Sequence, residues 1–140
     1  MKTTISIVWV LICLSGLGLK AQSRLEVIIS EVKDDTGTII VGLFSDETTF
    51  LKEPFIGKTV KSVTGKISVI FDHVPDGTYA VSIIHDSNAN GELDSNLFGI
   101  PKEGFGFSND AMGTFGPPSF EKAKLVISSS TTAIVKMRYM

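Results

Sequence analysis

From Asp86 the chain reads Asp-Ser-Asn-Ala-Asn-Gly-Glu-Leu-Asp, with an oxygen-bearing side chain at every second position up to a glycine. Carboxylate and amide oxygens at that spacing are the ligands a hard cation such as calcium takes, and the glycine allows the sharp turn around it. With Asp86 as first, Asp86, Asn88 and Asn90 fall at positions one, three and five, Gly91 at six, and Glu92 at seven offers its main-chain carbonyl. Asp94 falls at nine. The twelfth position, where such loops place a bidentate glutamate, is Leu97, so a further ligand has to come from Glu92, Asn96, Glu103 or Asp110. So few carboxylates imply weak binding, with Kd roughly 10⁻⁴ to 10⁻³ M. The same residues also suit a metal-free turn, because Asn90-Gly91 is a favoured hairpin dipeptide and Asp and Asn cap their own backbone.

Other chemistry finds less support. His85 and Asp86 with Ser82 or Ser87 have the residue types of a nucleophilic triad, but neighbours on a strand point to opposite faces. A zinc pair of His73 and His85 would span a turn at about 3.3 Å per residue and has no cysteine to complete it. Gly99, Gly104, Gly106, Gly113 and Gly116 lack the strand-to-helix layout of a phosphate loop.

The elements that must hold the loop read as strands. β-Branched, alternating runs separated by turn residues give seven candidates: Arg24 to Val32, Thr38 to Ser45, Lys58 to Thr64, Ile67 to Val74, Thr78 to His85, Glu121 to Ser128 and Thr131 to Tyr139. Asp34 to Gly37 and Pro75 to Gly77 read as hairpin turns, and Ser45 to Pro54 as a short helical connector. Tyr79, Val81, Ile83 and His85 share one face of their strand, the side expected to meet the core. The pattern predicts an all-β chain, a single immunoglobulin-like or transthyretin-like antiparallel β-sandwich of about seven strands with one long ordered loop. That loop, residues 95–119, contains Phe98, Phe105, Phe107 and Phe115, too many aromatics for a disordered stretch, and the phenylalanines are expected to pack. It also carries an echo, Phe98-Gly-Ile-Pro and Phe115-Gly-Pro-Pro.

Residues 1–21 have the plan of a secretory signal peptide: Lys2, an apolar run from Ile5 to Leu19, and a cleavage position after Ala21. That run is short of the roughly 20 residues a membrane span needs. The expected mature unit is one domain, residues 22–140, exported to the periplasm or beyond. Cys13 and Trp9, each the single residue of its type, fall in the leader, which leaves no thiol for disulfide or redox chemistry. Removing Lys2 and Lys20 from the 13 basic residues leaves 11 against 15 acidic ones, so nucleic acid is a poor partner.

Phe71-Asp-His-Val-Pro-Asp-Gly-Thr-Tyr-Ala-Val, the acidic loop, Gly99 to Asn109 and Phe115 to Glu121 together resemble the exported bacterial family called domain of unknown function 2141. The resemblance implies export and carries no activity. Phe71 to Val81 alone is similar to the Pro-x-Gly-x-Tyr hairpin of transthyretin-like and carboxypeptidase-regulatory-like modules, which bears on fold only.

Three functions follow from these readings. The first is a non-enzymatic exported module that binds calcium through Asp86, Asn88, Asn90, Glu92 and Asp94 and presents residues 95–119 to a protein or glycan partner. The second is a hydrolase or other enzyme at the His85 and Asp86 end of the sheet, with Asp86, Glu103 or Asp110 as acid or base. The third is a structural envelope or matrix component.

Overall fold

The computed structural model describes residues 21–140; the expected signal segment, but for Ala21, lies outside the described residues. Eight strands form two sheets: β1 (Gln22–Val32), β2 (Thr38–Phe44), β3 (Ile56–Lys61), β4 (Gly65–Pro75), β5 (Gly77–Asp86), β6 (Gly104–Phe107), β7 (Lys124–Ile127) and β8 (Ser130–Lys136). The smaller sheet runs β4-β1-β8. The larger runs β3-β2-β5, with β6 and β7 placed end to end along the far edge of β5. Between them lies the core, where Leu25, Val27, Ile29, Val69, Phe71 and Val135 of the small sheet meet Ile39, Val41, Leu43, Val81 and Ile83 of the large one. The all-β sandwich read from the sequence is this fold.

Besides Phe120–Ala123, a helical turn where the expected strand from Glu121 begins, three details depart from the sequence reading. The sheets are not wholly antiparallel, since β1 and β8 run parallel from Arg24 opposite Ser130 to Ser30 opposite Lys136. The Asp34–Gly37 and Pro75–Gly77 turns are not hairpins: β1 and β4 belong to one sheet and β2 and β5 to the other, so each turn carries the chain across the sandwich. At the second crossing the Tyr79 hydroxyl donates to the Pro75 carbonyl at 2.6 Å, which ties the strand start to the turn. Burial pushes the Tyr79 phenol above its usual pKa.

The third departure is β6, an additional strand inside the stretch expected to be loop. Its sequence, Gly-Phe-Gly-Phe, has low strand propensity because glycine offers nothing to pack. The glycines are there for clearance. A Cβ on Gly104 would enter the Tyr139 ring, and one on Gly106 would lie 2.8 Å from Val135 Cγ1. Paired to β5 on one side, β6 exchanges hydrogen bonds with Arg138 on the other, Phe105 N–H to Arg138 O at 3.0 Å and Arg138 N–H to Phe105 O at 2.8 Å. The segment just after β8 thereby closes that corner of the sandwich.

Candidate functional site

Two features meet at the β6 edge of the large sheet: the acidic loop, which leaves the end of β5, and the long segment that follows it. The turn before β2 supports the loop's first residues. Gly37 takes φ +63° and lies against the Asp86 and Ser87 main chain so closely that any Cβ would collide with it. That crossing thus fixes where the loop begins.

The loop folds around its own side-chain oxygens. Asp86 is buried and accepts the Asn90 N–H (3.1 Å, Oδ1) and the Gly91 N–H (2.7 Å, Oδ2). The Asn88 oxygen accepts the Asn90 N–H at 3.2 Å, and the Asn90 oxygen accepts the Glu92 N–H at 2.9 Å. Both amide NH₂ groups reach Asp94: Asn88 donates at 2.6 Å and Asn90 at 3.0 Å to each carboxylate oxygen. Ala89 at φ +55° and Gly91 at φ +83° supply the left-handed turns that bend the chain around these groups. Asn88, Asn90 and Asp94 are therefore brought together, Asp86 grips the loop backbone, and Glu92 is exposed. No group of three or more His, Cys, Asp or Glu side chains that could hold a metal occurs among the described residues, so a cation here would need the amides as well as the carboxylates.

Among the four residues the sequence offered as a further ligand, the fold singles out Glu103. It is buried just before β6; one carboxylate oxygen accepts the Ser87 N–H at 2.9 Å and the other the Asp94 N–H at 3.0 Å. One side chain from the long segment thus holds both ends of the loop. Asn96 is used locally, accepting the Phe98 and Ile100 N–H groups (2.9 and 3.0 Å), and Asp110 accepts the Lys136 N–H at 3.0 Å. Spacing alone could not separate these three, because what selects Glu103 is its position at the foot of β6.

His85 faces inward, away from Asp86. Its Nε2 lies 2.8 Å from the Thr36 carbonyl, which can only accept, so this nitrogen carries the proton. Its Nδ1 is 2.8 Å from the Tyr139 hydroxyl, which accepts the Lys33 N–H at 3.0 Å and donates to the ring. Burial raises the Tyr139 pKa, with the Lys33 N–H opposing the shift. Fully buried and engaged at both nitrogens, the ring ties the C-terminal end to the first crossing; among the described residues the only carboxylate paired with it is Asp34, at 3.6 Å.

The outer face of the large sheet holds the second feature. Ile84 pairs with Phe105 and Ser82 with Phe107, and paired residues share a face, so these side chains point outward together. At one end, Phe50 and Phe120 cover the face in edge-on contacts with Phe44 and with each other, at centroid separations of 5.4 and 5.8 Å. Toward β6 the cover is two arms. Residues 94–102 form a small hairpin, closed by the Lys102 N–H to Asp94 O bond and the Ser95–Pro101 bridge, with Leu97 and Phe98 exposed at its tip. Residues 111–119 form the other, with Phe115 wholly exposed. A groove of about 1080 Å³ lies between the arms and the sheet. The echoed Phe-Gly motifs thus mark the arm tips, while Phe105 and Phe107 are buried beneath; the expectation that the phenylalanines pack holds for the β6 pair only.

The profile of a family described as "Uncharacterized protein conserved in bacteria (DUF2141)" matches residues 27–135, most of the chain. No curated protein and no solved structure matches it. No helix among the described residues is long and apolar enough to cross a membrane.

Proposed function

The chain belongs to the DUF2141 family of uncharacterized bacterial proteins, and from that premise we propose that it is an exported, non-enzymatic binding module whose acidic loop takes calcium and steadies the two arms that present its binding face. The observation that carries this reading is the Glu103 clamp. Asp86, Asp94 and Glu103 gather around one loop, two of them buried, and none forms an ion pair among the described residues; main-chain and amide N–H groups alone balance their charge. Such dipoles compensate a buried carboxylate less fully than a cation does.

Calcium would draw on Asp86, Asn88, Asn90 and Asp94 side-chain oxygens and on the Glu92 carbonyl. Each Asn oxygen accepts one main-chain N–H and retains a second lone pair for a cation. At Asp94 the ion would displace the two amide donors. Because Glu103 grips Ser87 and Asp94 and leads directly into β6, tightening the loop would steady the 94–102 arm. Export rests on the charged, apolar and small-residue plan of residues 1–21.

Calcium should raise the melting temperature in the millimolar range, a chelator should reverse the rise, and hydrogen exchange in residues 94–102 should slow. Titration calorimetry without heat, together with melting indifferent to chelator, would sink the calcium reading.

A further inference from the structure

The groove beneath the arms has an apolar floor in which Phe44, Phe105 and Phe107 are each less than a tenth exposed. Where one face of a sheet is solvated, outward positions are ordinarily polar, yet Phe44, Ile84, Phe105 and Phe107 line this one. The exception is Ser82. It is nine-tenths buried, lines the groove, and its hydroxyl has no hydrogen-bond partner among the described residues. Among the described residues no fully enclosed side-chain oxygen or nitrogen lacks a partner, so this hydroxyl opens to the groove. Its one free direction is into the groove, so a ligand lying there can take its hydrogen bond in place of water.

Charge narrows what that something is. Lys52 also lines the groove and has no ion-pair partner among the described residues; the single acid on the lining, Glu92, belongs to the loop. One ammonium, with the Ser82, Ser95 and Thr114 hydroxyls also on the lining, matches a head of single negative charge better than the double charge of a phosphate. The recess is concave, and its volume of about 1080 Å³ is slightly above the small-molecule range of roughly 300–1,000 Å³. It is not the broad, flat surface on which a folded protein docks. The exposed Leu97, Phe98 and Phe115 at the rim can lie down on an apolar body too long for the floor alone.

We infer that the groove binds a single-chain amphiphilic carboxylate, a free fatty acid, with its chain against the phenylalanine floor and its head between Ser82 and Lys52. This names the ligand class of the face proposed above and rests on reading the arms as that face, independently of calcium.

The test is displacement of a fluorescent anthroyloxy fatty acid from the protein by oleate and by oleyl alcohol. It is run in chelator so that calcium neither precipitates the soap nor enters the result. Oleate should displace the probe well below its aggregation concentration, and the alcohol should be weaker by about tenfold, the worth of one charge-assisted hydrogen bond. Lys52→Ala and Ser82→Ala should each weaken oleate and bring it closer to the alcohol. Both variants should melt as the parent does, because Lys52 is exposed and Ser82 loses only an unpaired hydroxyl. Vesicles of phosphatidylglycerol should leave the probe in place. Failure of oleate to displace, equal binding of the alcohol, variants indistinguishable from the parent, or capture by vesicles in place of the monomer would each overturn the inference. A flat calcium titration alongside oleate displacement would reject the metal and leave the groove standing.

Discussion

The inner and outer faces of the five-stranded sheet use the same alternation of residues to opposite ends. Inward, Val41, Val81 and Ile83 meet the small sheet in continuous apolar packing. Outward, Ile84, Phe105 and Phe107 are just as apolar, but they meet two arms that also expose Leu97, Phe98 and Phe115 and leave a groove. A core is complete when every apolar surface finds a neighbour. By that measure the inner face is finished, whereas over the outer one the arm residues Leu97, Phe98 and Phe115 are left without neighbours.

The sharpest way to break that contrast is a pair of adjacent isoleucines. Ile83, fully buried on the inner face, should lose about 2–5 kcal/mol on replacement by alanine, because a cavity remains where the sheets cannot collapse. Ile84, half-buried on the groove floor, should lose about 1 kcal/mol or less. Urea unfolding of the two variants in chelator measures both. Equal losses would mean that the outer face is a second core and the groove is closed in solution.

A smaller effect is expected at the edge the two faces share. Gly104→Ala drives a methyl group into the Tyr139 ring and should cost about 1–3 kcal/mol. Tyr139 holds His85, so the damage should reach the inner face and appear in global unfolding. Glu103→Gln should cost about 1–2 kcal/mol, since the amide can accept only one of the two main-chain N–H groups and leaves the other unpaired. Its loss should stay local, with faster hydrogen exchange at Ser87 and Asp94 and little change in the β1 and β4 amides.

This division also marks what could be read in the residues beforehand. Most of the strands that line the core were legible, because burial on one face imposes a period of two, but Glu121 to Ala123, read as the start of a strand, folds as a helical turn. Glycine at alternate positions hid β6, for a reason that lies 35 residues along the chain in the Tyr139 ring. Which strands share a sheet was equally invisible, since a short turn looks alike whether it joins two partners or crosses between layers. In the acidic loop, the spacing of Asp86, Asn88, Asn90 and Asp94 announced side chains that gather, but the role of Glu103 depends on strand placement. Ser82 entered only as a candidate triad hydroxyl beside His85 and Asp86, and nothing in the spacing pointed to its place on the groove floor.

The smallest expected effect separates carboxylates that shape a turn from those that gather at the outer-face loop. Asp34 and Asp46 are fixed by nearby threonines, each accepting the N–H and hydroxyl of the residue two positions on. The Thr36 and Thr48 hydroxyl bonds, followed by the main-chain bonds, hold both acids below the usual aspartate pKa of about 3.8. A folded-state pKa lowered in this way contributes stability that is present above the unfolded value and lost as pH falls through the folded one. The Asp34→Asn, Asp46→Asn double variant should therefore have a slightly lower urea midpoint than the parent at neutral pH, with the gap closing below about pH 4, at chelator and calcium concentrations alike. Asp86→Asn should differ in kind, since its effect should depend on calcium. If the turn variants instead responded to calcium as strongly, the acidic loop would be one more self-capped turn, and the contrast between a finished inner face and a receptive outer one would rest on the groove alone.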